Sequence, residues 1–328
     1  MSAVLEYPPK TSTPNTANPR LRAVLLGCGT VNTGVLERLG EFGDSIEVSA
    51  IVTRRKRLDH DLDTAWLTEP SAAFDTGPDV IIEALPDCPA ADKALTLAAE
   101  RGIHIISANK GILARRPELE AHAARRGATV RYAAAVGGGV PVLETLLRLR
   151  QDGETINTVR GVLNGTSNFI LEQVEAGASF ETAVTAAQDA GFAEADPSAD
   201  IDGLDAAAKL VLIARTAFDD VIDPASLITE SLRTLSPAHI ANATKQDLRY
   251  RQCAELGRGE SGITGCVRNL ALSTSDPLSQ TRNEENCVEI RCHSGLKVIL
   301  HGKGAGREPT ANAMLSDLRA LLLLRVAP

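Results

Sequence analysis

The segment that most restricts the fold is Gly27-Cys28-Gly29-Thr30-Val31-Asn32-Thr33-Gly34, because it closes an apolar run at 22–27 and opens a helical pattern at 31–43. At such a turn the first glycine lets the chain bend tightly, and the second lets backbone approach a ligand at the helix start. Short β-branched runs then recur at 46–52, 79–85, 103–108 and 128–134, with helical stretches at 91–102 and 117–127 between them. Strand and helix in alternation predict a parallel sheet with helices on its faces.

Gly137-Gly138-Gly139-Val140-Pro141 ends that rhythm. Pro141 suits the first turn of a helix over 143–150. Beyond it the pattern predicts a strand at 158–163, a loop at Asn164-Gly165-Thr166, and helices at 179–191 and 204–218. Strands at 266–272, 286–292 and 296–302 and a helix at 310–326 complete the chain, so a second sheet in an α+β unit is expected. Residues 1–20 are rich in Pro, Thr, Asn and Ser, have no apolar core of signal-peptide length, and read as a disordered tail.

A net charge of −8 over 328 residues excludes general affinity for nucleic acid or an anionic membrane, both of which need a positive footprint. No run approaches the roughly 20 apolar residues of a membrane span. The six cysteines form no CxxC pair and have no histidines at zinc spacing, so they read as reduced thiols and no metal cage is indicated. A cytoplasmic enzyme is the expectation.

The chemistry concentrates in Gly191–Lys209, where a carboxylate-rich loop leads into an otherwise apolar helix. Asp205 and Lys209 are four apart and share a helical face. Ala206, Ala207, Ala208 and the apolar run from Leu210 to Ile213 surround the amine with hydrocarbon, which predicts a lowered lysine pKa suited to proton exchange. Taken alone, the pair reads first as a solvent-facing ion pair worth about a few tenths of a kcal/mol, and the other motifs reverse that order. In the glycine loop, Gly27, Cys28, Gly29, Thr30, Val31 and Asn32 are the candidate cofactor contacts, and Asn32 stands where a third glycine is usual. An asparagine there predicts a helix pushed slightly off the strand. After the second strand, Arg54-Arg55-Lys56-Arg57 replaces the acid that meets a ribose 2′-hydroxyl, favouring NADP with NAD as the alternative. A solvated charge run is the competing reading, since Asp59, Asp61 and Asp63 can neutralise part of it.

With these motifs in order, joined by Ala108-Asn109-Lys110, the triple-glycine segment, Asn164-Gly165-Thr166-Ser167-Asn168 and Gly304-Ala305-Gly306, the chain resembles the homoserine dehydrogenase family from about Leu21 to Leu318. The resemblance implies a Rossmann-type parallel-sheet nucleotide domain at 21–135 plus 304–328, with an inserted α+β catalytic and dimerisation domain at 136–303. It implies interconversion of L-homoserine and L-aspartate 4-semialdehyde with a nicotinamide cofactor, in a homodimer. The family's active-site lysine falls on Lys209, its second lysine on Lys110, near both nicotinamide and substrate, and its substrate carboxylates on Glu194 and Asp205. Gly191 and Gly304 fall where family members bring backbone to the cofactor.

Two stretches depart from the family pattern. Family members carry a glutamate before the triple glycine that helps hold a monovalent cation, whereas Ala133, Ala134 and Ala135 offer no carboxylate. A cation on the carbonyls of Val136, Gly138 and Val140 should therefore bind weakly or not at all. Pro86 stiffens Glu83–Cys88, a loop that is glycine-rich in relatives. The chain ends at the family's common core, so no threonine-binding regulatory domain is expected. An enzyme for another small amino or hydroxy acid and a catalytically silent ligand-binding homologue are the alternatives. The four residues Lys110, Glu194, Asp205 and Lys209 together speak against the silent one.

Overall fold

The structure is a computed structural model that describes residues 20–54, 64–259 and 262–326. Apart from Arg20, the expected tail lies outside the described residues, as do Arg55, Lys56, Arg57 and the three aspartates that follow.

The chain first runs β1 (Leu21–Leu26), α1 (Thr30–Arg38), β2 (Ile46–Val52), β3 (Ala65–Leu67), α2 (Pro70–Ala73), β4 (Val80–Glu83) and α3 (Pro89–Arg101). It continues through β5 (His104–Ser107), α4 (Lys110–Arg115), α5 (Glu118–Arg125) and β6 (Val130–Arg131). These strands form a parallel sheet in the order β3-β2-β1-β4-β5-β6. The order reverses between β1 and β4, which opens a crevice at their carboxyl ends. Valine, isoleucine and leucine fill both faces of β1, β4 and β5 because helices cover the two sides.

A short 3-10 turn at Ala133–Ala135 leads to α6 (Val142–Gln151), β7 (Ile156–Val162), α7 (Gly165–Glu175), α8 (Phe180–Asp189), α9 (Ser198–Ile201) and α10 (Leu204–Phe218). Then come β8 (Ile228–Thr229), α11 (Pro237–Thr244), β9 (Leu248–Gly259), β10 (Gly262–Ser273), β11 (Glu285–Cys292), β12 (Lys297–Lys303) and α12 (Arg307–Val326). The second sheet has the order β12-β11-β7-β9-β10-β8 and is antiparallel except where β10 meets β8. Apolar residues of α10 pack with Val159, Leu256, Val267 and Val288 of this sheet and with Leu113 and Ala114 of α4. A helix apolar on nearly every side is what a buried element between two units requires.

The last helix returns to the first sheet. Leu315, Leu318 and Leu321 join the core of Leu21, Leu25 and Ile82, and a Cβ on Gly34 would lie 3.1 Å from that of Ala311. The small residue in α1 thus allows close approach of α12 and not of the strand.

Short elements such as β3, α2, α4, α9, β8 and α11 lie outside the expected pattern, and three further differences have a clear physical reason. The strand expected over 128–134 shortens to Val130–Arg131, because the Ala133 N–H is taken by Asp317 Oδ2 at 2.9 Å and not by a strand. Asn164 begins a helix: its Oδ1 accepts the Ser167 N–H at 2.7 Å, so α7 replaces a loop. The long strand β9 escaped its pattern because Arg251 and Gln252 are buried, which breaks the apolar alternation.

Candidate functional site

Leu26, Glu83 and Ser107 end β1, β4 and β5 in register, so the loops that follow them share one edge of the sheet. Gly27 turns with φ of 93°, and a Cβ there would lie 2.9 Å from the Ala84 carbonyl. Only glycine joins that turn to that neighbour. Gly29 begins α1 with no side-chain cap, no acidic residue follows in the first turn, and the space beside it is open. An exposed, uncapped helix start at a switch crevice suits the pyrophosphate of a dinucleotide. Thr30 is also exposed, Val31 half-buried and Cys28 buried.

Asn32 does not push the helix away. Its side chain is buried, and Nδ2 donates to the carbonyls of Leu26, Gly27 and Ile82 at 3.1, 2.9 and 3.2 Å. The asparagine ties α1 to the ends of β1 and β4, and only its backbone remains available toward a ligand. The loop after β4 is pinned as well: Glu83 accepts the Leu85 N–H at 2.7 Å and the Ser107 hydroxyl at 2.5 Å. Asp87 takes both guanidinium nitrogens of Arg115, at 2.8 and 3.0 Å. Burial pushes the Glu83 carboxyl above the usual carboxylate range.

The centre of the site is Asp205, whose side chain is 9% exposed. Its Oδ1 meets Lys110 Nζ at 2.9 Å and its Oδ2 meets Lys209 Nζ at 2.8 Å. Asn164 Nδ2 donates to Asp205 Oδ2 at 2.8 Å and to Asp200 Oδ1 at 2.6 Å. Burial opposes ionisation of Asp205, but the Lys209 and Lys110 ammonium groups outweigh it and hold the carboxyl far below its ordinary range. The Asp205 charge holds Lys110 above the ordinary lysine range. Asp200 is pushed up, first by burial and also by Asp205.

The hydrocarbon around Lys209 is only part of its setting. The side chain is 12% exposed, yet its amine donates to the Leu163 carbonyl at 2.5 Å as well as to Asp205. Both oxygens accept from the amine and come from polar groups that the apolar neighbours on its own helix do not reveal. An ammonium has three N–H donors, so two are engaged and one remains for a substrate oxygen.

Glu194 is exposed and reaches Lys110 only through space. Gly191 ends α8 at the exposed start of the same segment. Arg54 is exposed at the end of β2, while Arg55 lies outside the described residues. Gly304 sits where the chain returns to the first sheet, and a Cβ there would collide with the buried Asn286. Gly138 crosses the Gly304 backbone just as closely. Val136 and Val140 are buried, and the Val140 carbonyl accepts the Val142 N–H at 2.8 Å. Among the described residues no group of three or more His, Cys, Asp and Glu is placed to hold a metal, and no helix is long and apolar enough to cross a membrane. Asp200, Asn164 and the Leu163 carbonyl join the site without having been singled out. The signal for Asp200 was available, since it stands five residues before Asp205 on α9, which folds back onto Asn164.

A family model described as the NAD binding domain of homoserine dehydrogenase matches residues 27–133, and one described as homoserine dehydrogenase matches 141–318. The chain belongs to the homoserine dehydrogenase family. A homoserine dehydrogenase of Synechocystis sp. is 34% identical over 310 residues, covering 90% of this chain and 71% of that protein. An NAD(+)-dependent homoserine dehydrogenase of Pseudomonas canavaninivorans is 34% identical over 250 residues, covering 74% of this chain and 71% of its own length. A crystal structure of a homoserine dehydrogenase from Thiobacillus denitrificans superposes with a TM-score of 0.87 at 30% identity, covering 94% of this chain and 74% of that one. Membership in the homoserine dehydrogenase family accounts for both halves of the architecture, the nucleotide-binding sheet and the mixed sheet beneath α10.

Proposed function

We propose that this chain oxidises L-homoserine to L-aspartate 4-semialdehyde, and catalyses the reverse, at the junction where Asp205 bridges Lys110 and Lys209. That bridge carries the reading. One amine comes from α4, which follows a strand of the nucleotide-side sheet, and the other from the helix beneath the second sheet, and one ionised carboxylate holds both. A nicotinamide ring, when bound, supplies the hydride acceptor for the alcohol carbon and the donor for the aldehyde carbon. The residues that would hold its dinucleotide are Gly27, Gly29, Thr30 and Val31 at the open start of α1.

The rest is proton work and orientation. As an ammonium, Lys209 gives a proton to the aldehyde oxygen. As a neutral amine it takes one from the hydroxyl. Asp205 remains ionised throughout and fixes the direction of that amine. Lys110 remains a cation, held so by Asp205, and offers positive charge to the substrate oxygen. Glu194, exposed at the mouth, and Asp205 are suited to the substrate ammonium, since a carboxylate only accepts.

Arg54, exposed where a 2′-phosphate would lie, supports a preference for NADP. The NAD(+)-dependent relative supports the second reading, use of NAD. The common core of α12 and β1 supports a discontinuous nucleotide domain, 21–135 plus 304–328, around a catalytic domain at 136–303. The half-exposed second sheet, with β12 open along its length, supports pairing of two copies. Any monovalent cation on the carbonyls of Val136, Gly138 and Val140 should bind weakly, since the carboxylate brought to the 133–135 turn, Asp317, is bonded to the Ala133 N–H.

The test is turnover of L-homoserine with NADP or NAD beside Lys209→Ala. We expect the variant to lose about 10²- to 10⁴-fold in kcat while still binding cofactor. Equal turnover would remove Lys209 from the mechanism.

A further inference from the structure

We propose that Arg215 is a positioning residue: from the helix that carries Asp205 and Lys209 it grips the far end of the helix that carries Lys110, keeping both amines on one carboxylate. The inference rests on the roles given above to the two lysines.

Arg215 lies ten residues after Asp205 on α10, and its side chain is 6% exposed. Nη1 donates to the Leu113 carbonyl at 2.7 Å and to Glu120 Oε1 at 3.2 Å, and Nη2 donates to the Ala114 carbonyl at 2.8 Å. Leu113 and Ala114 belong to the last turn of α4, where the Leu113 carbonyl also accepts the capping Arg116 N–H, at 3.4 Å, and the i+4 donor for Ala114 falls beyond the helix end. A guanidinium is the side chain that spans two such oxygens at once, and its charge complements a helix carboxyl end.

The other end of α4 is fixed separately. Asn109 Oδ1 accepts the Ile112 N–H at 3.3 Å, and the Asn109 N–H donates to Ser107 Oγ at 3.0 Å. Ser107 in turn donates to the buried Glu83 carboxylate. A helix of six residues is too short to hold its own shape, so these two attachments set where Lys110 stands. One attachment, Arg215, shares a rigid helix with Asp205, about 15 Å away along its axis. Movement of α10 against α4 would therefore break the Arg215 fork and the Lys110–Asp205 pair together. Arg215 touches no reacting atom, and its effect is transmitted through the α4 backbone.

Removing Arg215 alone would strand Glu120, which is packed beside Tyr132. The variant of choice is therefore Arg215→Met with Glu120→Gln, accompanied by Arg215→Lys, with thermal unfolding to verify folding. The first readout needs no turnover: acylation of Lys110 by acetic anhydride, followed by mass spectrometry. We expect Lys110 to react about fivefold faster in the double variant, as an amine released from its ion pair, with a smaller increase in Arg215→Lys. The second readout is a cycle with Lys110→Ala. In the presence of Lys110, kcat should fall about tenfold with cofactor KM within about twofold, as for a misplaced group, and in its absence the same exchange should cost less than about twofold. Unchanged Lys110 labelling in both Arg215 variants, or an equal loss of kcat in the two backgrounds, would overturn the proposal. Absence of homoserine turnover by the unaltered enzyme would count against the function instead, and the labelling would still decide the positioning.

Discussion

Asp317 should make this fold less stable as pH rises, and replacing it with asparagine should remove that loss. The carboxyl lies on α12, is 5% exposed, and accepts the Ala133 N–H at 2.9 Å, while Arg131 approaches only to 3.9 Å. Burial, with the Glu144 charge nearby, pushes it up to about 7 from an ordinary 3.8. Between those values the unfolded chain has released a proton that the folded chain still binds, so stability falls with rising pH and levels off above about 7. At about 1.4 kcal/mol per unit, the penalty is about 2 kcal/mol at pH 5 and about 4 kcal/mol at pH 8. Asp317→Asn keeps an acceptor for the Ala133 N–H and has no proton to lose. Denaturant unfolding of both proteins at pH 5 and pH 8 should show a larger advantage for the variant at the higher pH, by about 2–3 kcal/mol. A gap independent of pH, or a variant less stable at pH 8, would refute the reasoning.

Asp205→Asn should lower kcat by about 10²-fold or more, and it should let Lys110 titrate at lower pH, because the charge that raises it is gone. NMR titration of methyl-labelled lysine checks the second statement, and an unmoved Lys110 would contradict it. Asn32→Ala should cost about 2–3 kcal/mol in unfolding experiments, since three buried carbonyls lose a donor. An unaltered stability would mean that α1 is held by packing alone. Arg54→Ala should raise KM for NADP more than for NAD, and an equal change in both would leave no 2′-phosphate contact at that position.

What was legible in this chain follows the range of the interactions involved. The strand-helix alternation and the Asp205–Lys209 spacing are local, and the nucleotide-side sheet and α10 appear where the pattern put them. β9 was not legible, because its buried Arg251 and Gln252 are satisfied by partners distant in the chain, such as Glu175 and the Ile201 carbonyl. The same limit applied inside the site. Lys209 read as an amine among hydrocarbon because its own helix supplies the hydrocarbon, whereas the Leu163 carbonyl that orients it comes from the end of β7. Positions 133–135 are three alanines with no carboxylate of their own, yet Asp317 arrives there from the last helix. Lys110 could be placed by motif but not explained by it, since Asp205 and Arg215 of α10 and Glu83 of β4 fix it from two elements distant in the chain. A sequence motif thus names the groups that meet a substrate. The groups that hold them there are polar residues buried against distant backbone, and the fold reveals those first as departures from apolar periodicity.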